Sequence, residues 1–216
     1  MSTEEVFDRL AELIVNGDEL SAEEAAKEAI AAGVDPLEAI HRGVAEGMRV
    51  IGEKFENFEI FLPQLMLAAS AAKNCMRVLV PKISEDRKNE SRLGKVVIGT
   101  VLGDIHDIGK NLVTMMMQGA GLEVIDLGID VPPARFEAAI AEHRPQLLGL
   151  SALLTTTVDS MATTIKALEK AGLRDGLRIM VGGAPVTPEF ANSIGADGYA
   201  ADALSAVELA TGWLQS

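Results

Sequence analysis

Cysteine, aromatic side chains and positive charge are all scarce in this chain. Cys75 is the only cysteine among 216 residues, so no internal disulfide can form, and the usage agrees with a reducing cytoplasm. Lys and Arg number 19 against 32 Asp and Glu, and the net charge of −13 repels phosphate backbones, which argues against nucleic acid as a partner. No apolar run is long enough to span a bilayer, and the opening Met1-Ser2-Thr3-Glu4-Glu5 has no apolar core of a secretory signal. Aromatic residues make up 4%, yet three of the six phenylalanines crowd into the stretch 55–61. With 48% hydrophobic and 24% charged residues, the chain reads as globular and soluble, with one or two domains.

Two glycine-rich phosphate loops are also missing. Five residues separate Gly103 from Gly109, and Asn111 follows Lys110, so the spacing and the Ser/Thr of a Walker loop are absent. The glycine spacing of a dinucleotide fingerprint is absent as well. Gly149-Leu150-Ser151-Ala152-Leu153 lacks the second glycine of a nucleophile elbow, which counts against a Ser151, His106 and Asp104 triad.

What is present divides at a polar stretch. Residues 1–83 predict four helices. Ser2 with Glu5, and Ser21 with Glu24, form capping-box patterns, and Gly17 and Gly33 end the first two helices. Asp35 and Pro36 open a third helix with Leu37, Ile40, Val44, Met48 and Ile51 on one face. Pro63 opens a fourth, which carries Leu65, Met66, Ala69, Ala72, Met76 and Leu79. Cys75 sits there among alanines as a packing residue. Residues 84–94 have almost no apolar content and read as a linker.

From residue 95 to 216, short β-rich runs alternate with helical segments, the rhythm of a doubly wound parallel sheet. Strands are expected at 96–102, 123–127, 146–151, 178–181 and 198–200. Five strands in this rhythm fit a flavodoxin-like, Rossmann-like order, whose ligand crevice lies at the strand carboxyl ends. Three of those ends carry unusual residues: Gly103-Asp104-Ile105-His106-Asp107-Ile108-Gly109, then Ser151-Ala152-Leu153-Leu154-Thr155-Thr156-Thr157, then Gly182-Gly183-Ala184. A neutral imidazole can ligate a metal, and a carboxylate on its other ring nitrogen fixes its direction; Asp104 or Asp107 could serve.

Asp104-x-His106-x-x-Gly109, Ser151-x-Leu153 and Gly182-Gly183, in that order after a helical segment with Phe61-Leu62-Pro63-Gln64, resemble the signature of B12-dependent methyltransferases and mutases. The whole arrangement is similar to the cobalamin module of methionine synthase and to the corrinoid proteins of methyltransferase systems for methylamines, methanol and betaines. The resemblance implies a four-helix bundle cap, residues 1–83, and a cobalamin-binding α/β domain, residues 95–216. It implies cobalamin, in its methylated form or as another cobalt corrinoid, with His106 as the axial cobalt ligand, Asp104 accepting its second ring proton, and Thr157 as the hydroxyl partner. Gly103, Ile105, Asp107, Ile108, Gly109, Ser151, Leu153, Thr155, Gly182, Gly183 and Ala184 would line the cofactor site, with Tyr199, Asp202 and Ala203 closing it. Phe61, Leu65 and Met66 would shelter the methyl-bearing face.

The function implied is methyl carriage in one-carbon metabolism, between a substrate-specific methyltransferase, of methylamine or betaine type, and a second, methyl-accepting methyltransferase. A reductive activase would restore the cobalt. Such a chain is a carrier subunit and not a complete enzyme alone. A cobalamin-dependent regulator would need a basic DNA-binding module, and a detached mutase subunit would lack the Phe61-Leu62-Pro63 cap. A receiver-like signalling domain on the same fold has no use for His106.

Overall fold

The computed structural model describes residues 2–83 and 94–215. The chain divides into two compact units, Met1–Arg92 with Met115–Leu122, and Leu93–Thr114 with Glu123–Ser216. All but one residue of the expected linker 84–94 lies outside the described residues.

The first unit is helical. Its helices are α1 (Thr3–Val15), α2 (Glu19–Ala31), α3 (Pro36–Glu38), a π-helical segment (Ala39–Val44), α4 (Ala45–Glu56) and α5 (Leu62–Leu79). The capping box of Ser2 and Glu5 opens α1. At α2, however, Asp18 is the cap, its carboxylate accepting from Ser21 N at 3.1 Å, and the helix begins two residues before the expected Ser21. Either residue type can satisfy a free amide there, and Asp18 does so three residues, nearly a full turn, earlier. The third expected helix is interrupted by the π-helical segment before it continues as α4.

Helix α2 packs on α5 through Ala22, Ala25, Ala26 and Ala29 against Ala68, Ala69, Ala71, Ala72 and Cys75, all buried. Small side chains let the two backbones approach closely. Cys75 donates its Sγ proton to Ala22 O at 3.3 Å, and burial pushes its thiol pKa up to about 12. It is protonated at neutral pH and plays a packing part.

Helix α4 ends in a Schellman motif. Phe58 N donates to Phe55 O at 3.1 Å and Glu59 N to Lys54 O at 2.9 Å, with Phe58 at φ +59°. This position favours glycine. Phe58 is 91% exposed, so its ring gains little from burial in return. Phe58→Gly is expected to raise the free energy of unfolding by about 1 kcal/mol, measured by urea denaturation; an unchanged or lower value would mean the ring has packing partners in solution.

The second unit is a parallel sheet of β1 (Lys95–Thr100), β2 (Glu123–Asp126), β3 (Leu147–Ser151), β4 (Arg178–Gly182) and β5 (Gly198–Ala200), in the order β2-β1-β3-β4-β5. Its helices are α6 (Ile108–Gly119), whose residues from Met115 onward count with the first unit, α7 (Pro133–His143), α8 (Asp159–Lys170), α9 (Pro188–Ser193) and α10 (Ala203–Gln215). This is the flavodoxin-like order, in which β1 and β3 flank the point where the winding reverses. Val97, Leu148, Leu150, Ile179 and Val181 from the strands pack with Phe136, Ile140, Met161, Ile165 and Leu168 from α7 and α8. Register places Thr100 beside Ser151, and Ser151 beside Gly182, so three strands end level. Strand β1 stops at Thr100, two residues short of the expected Leu102, which is exposed. An apolar run in sequence continues past the point where its strand leaves the sheet.

Candidate corrinoid-binding site

The loop leaving β1 folds around a buried carboxylate. Asp104 has no exposed side-chain surface. Its Oδ1 accepts from His106 N at 3.0 Å and pairs with His106 Nδ1 at 2.8 Å. Its Oδ2 accepts from Leu153 N at 2.8 Å, Leu154 N at 3.2 Å and Thr157 Oγ1 at 2.7 Å. An unpaired buried carboxylate is very costly, and these bonds from β1 and β3 loops fill its lone-pair sites. Burial by itself pushes the carboxyl pKa up; the bonds from Thr157, the His106 and Leu153 amides and the imidazole outweigh it, and hold the group well below the usual carboxylate range. Asp104 is therefore an anion at any physiological pH.

The geometry separates the two aspartates that flank His106. Asp104 holds the ring, whereas Asp107 starts α6: its Oδ2 accepts from Asn111 Nδ2 at 3.0 Å, and its carbonyl accepts from Asn111 N at 2.7 Å. With a carboxylate on Nδ1, that nitrogen carries the proton and Nε2 keeps a free lone pair. The His106 side chain is 44% exposed, and Nε2 has no hydrogen bond among the described residues. Thr100 Oγ1 donates to His106 O at 2.9 Å and fixes the backbone from the strand side.

The other expected residues fall into three groups. Gly103, Ile105, Ile108, Gly109, Leu153, Thr155, Gly182, Gly183 and Ala184 stand with Ser151 at or just beyond the carboxyl ends of β1, β3 and β4. Tyr199 is half-buried on β5 against the core, Asp202 accepts from Ser205 N at 2.8 Å to cap α10, and Ala203 is the first residue of that helix. Phe61, Leu65 and Met66 belong to the helical unit. Phe61 and Met66 are exposed, but Leu65 is fully buried.

Sequence reasoning named Ile105, Ile108 and Leu153 but missed Leu102, Ile129 and Leu154, which complete an apolar rim with them. Leu102, Ile105, Ile108, Ile129, Leu153 and Leu154 are all exposed in the loops beyond β1, β2 and β3, with Ile108 at 79% and Ile105 at 68%. Clustered exposed apolar side chains of this kind mark a binding surface. A Cβ built on Gly109 meets nothing within 4 Å, so open space adjoins the imidazole loop. Among the described residues no three His, Cys, Asp or Glu side chains converge to hold an ion. One free imidazole nitrogen, amid apolar surface and open space, fits a metal whose equatorial positions are filled by a large flat macrocycle.

Residues 94–208 match a family model described as a B12 binding domain, and residues 6–80 match a second with the same description. The chain belongs to the B12-binding family. Its cofactor is a corrinoid. It is 44% identical over 204 residues to the trimethylamine corrinoid protein of Methanosarcina barkeri, covering 94% of both chains. A cobalamin-binding protein from Desulfitobacterium hafniense DCB-2 superposes with a TM-score of 0.80 at 33% identity, covering 96% of this chain and 98% of that one. A chain of the methanol:cobalamin methyltransferase complex of M. barkeri gives 0.81 at 30% identity, covering 98% and 80%. Among the described residues, no helix is long and apolar enough to cross a membrane.

At the rim, one glycine permits a close approach of backbone to backbone. Gly183 has φ +125°, and a Cβ there would lie 1.8 Å from Ala152 O. Gly183→Ala is expected to destabilise the protein by about 2–4 kcal/mol and to abolish corrinoid retention, read by thermal melting and by absorbance after gel filtration. Thr157 makes its bond to Asp104 although threonine carries an extra methyl group, because that methyl has room 3.5 Å from a Cβ built on Gly103. Thr157→Ser should therefore match the native stability closely, while Thr157→Ala should lose about 1.5–3 kcal/mol on urea unfolding.

Proposed function

We propose that this chain carries methyl groups on its corrinoid between two enzymes, a substrate-specific methyltransferase of methylamine type and a second methyltransferase that accepts the methyl group. A reductive activase belongs to the same reading, as does a cytoplasmic location. The observation that carries it is the buried Asp104 aiming a half-exposed His106 between β1 and β3. The likeness to a trimethylamine corrinoid protein along nearly the whole chain supports the donor class.

When bound, a corrinoid supplies a cobalt ion able to take up a methyl group and release it. The residues do the rest. His106 would offer Nε2 to hold the cobalt, and Asp104 keeps the Nδ1 proton in place and the ring in one orientation. When the imidazole is not ligating, the His106 and Asp104 pair can hold an added proton on Nε2, with the carboxylate balancing its charge. Leu102, Ile105, Ile108, Leu153 and Leu154 offer apolar surface that sheds water around that donor. Gly103, Gly109, Gly182 and Gly183 let backbone approach without side chains between. In this reading the chain divides functionally into residues 1–83 and 95–216.

The test is the Co(II) resonance spectrum of the full chain reconstituted with hydroxocobalamin and reduced. Labelling the histidines with ¹⁵N should change the nitrogen splitting, and His106→Ala should remove the label's effect while retaining some corrinoid. A spectrum indifferent to the label overturns the reading. Mixed with a methylamine and its methyltransferase, the reduced protein should lose its Co(I) absorbance; loss with methanol or betaine systems alone would reassign the donor.

A further inference from the structure

The connection that follows β2 runs beside the imidazole loop and is stitched to it at successive residues. Leu127 N donates to Ile98 O at 2.8 Å, Thr100 N to Gly128 O at 3.0 Å, and Val131 N to Thr100 O at 3.0 Å. Two further stitches are both made by Asp130. Its backbone N donates to Asp104 O at 2.9 Å, and its Oδ1 accepts from Gly103 N at 2.7 Å. To make both, Asp130 adopts φ +52°, a left-handed conformation that aspartate and asparagine reach more readily than other side chains but still less freely than glycine. None of the residue types around it marks this position in the sequence.

Gly103 explains why a clamp is needed. It stands at φ +86° with no side chain to limit its backbone, immediately before the residue whose carboxylate must reach His106 on one side and Leu153, Leu154 and Thr157 on the other. A glycine in that place has the most conformational freedom to lose on folding. Asp130 grips the chain on both sides of the Gly103–Asp104 peptide and so fixes where the carboxylate points.

We infer that Asp130 is a positioning residue for His106: its carboxylate and amide lock Gly103 and Asp104, and through Asp104 they set the tautomer and direction of the imidazole. This rests on the reading of His106 as the corrinoid ligand. It assigns to the β2 connection a share in a ligand set that the motif locates wholly in the β1 and β3 loops.

Two substitutions separate the roles of acceptor and backbone strain. Asp130→Asn keeps an Oδ1 acceptor and tolerates the left-handed conformation, while Asp130→Gly removes the acceptor and relieves the strain. In the full chain without cofactor, ¹⁵N resonances of the His106 ring should show a single Nδ1–H tautomer in the native protein and in Asp130→Asn, and a mixture in Asp130→Gly despite a cooperative melt. After reconstitution with hydroxocobalamin and reduction, histidine ligation should be roughly tenfold weaker in Asp130→Gly alone. A native-like tautomer and native nitrogen splitting in Asp130→Gly overturn the inference, as does equal damage in Asp130→Asn. Should Asp130→Gly fail to fold, the Gly103 amide of the native chain decides: slow hydrogen exchange is expected, and rapid exchange overturns the clamp. Absence of histidine coupling in the native protein would defeat the ligand reading instead, while the cofactor-free tautomer comparison still judges Asp130.

Discussion

A carboxylate with no contact with water, held ionised at the carboxyl ends of two parallel strands, is the constraint on which the second unit's site depends. Asp104 can be buried only if its oxygens are filled, and the donors that fill them come from two separate loops: the His106 amide and ring from the β1 loop, and Leu153, Leu154 and Thr157 from the β3 loop. Leaving any donor out would leave part of a buried charge unpaired, which is costlier than a lost surface bond. The same bonds that offset burial therefore fix the loops against each other. The imidazole inherits that rigidity through a single 2.8 Å contact.

Topology makes the arrangement possible. In the order β2-β1-β3-β4-β5, β1 and β3 are neighbours, and their crossovers leave toward opposite faces, so their loops part around a crevice. Asp104 bridges that parting from within. The apolar side chains Leu102, Ile105, Ile108, Leu153 and Leu154 remain outside, where a folded chain without a ligand gains nothing by exposing them. A buried anion beneath and an apolar rim above suit a large, flat cofactor that carries a cation at its centre.

A partly buried ion pair supports the other edge of the loop. The Lys110 side chain is 1% exposed, and its Nζ reaches Asp126 Oδ2 at 2.5 Å and Asn111 Oδ1 at 2.7 Å, while Asn111 also binds Asp107. The start of α6 is thus tied to the end of β2 by charge, as Gly103 and Asp104 are tied to the β2 connection by Asp130. The imidazole loop is held from three strands, and its glycines supply close approach without supplying looseness.

Much of this was legible before any coordinates. Alternating strand and helix patterns gave five parallel strands, because a buried strand's apolar run and an amphipathic helix's spacing are local properties, and the alanine-rich face of α2 and α5 with Cys75 was visible for the same reason. His106, the neighbouring acids and the rim glycines could be named because their types are unusual at strand ends. Tertiary structure alone decided the rest. The residue pattern left Asp104 and Asp107 open and the resemblance pointed to Asp104; the structure supplies the reason, amides about fifty residues away that only Asp104 reaches; it buried Leu65 and left Phe61 and Met66 exposed; it ended β1 at Thr100 and so turned Leu102 from a strand residue into rim. Asp130 had no sequence signal, because its part consists of bonds to backbone atoms, and backbone atoms are the same at every residue.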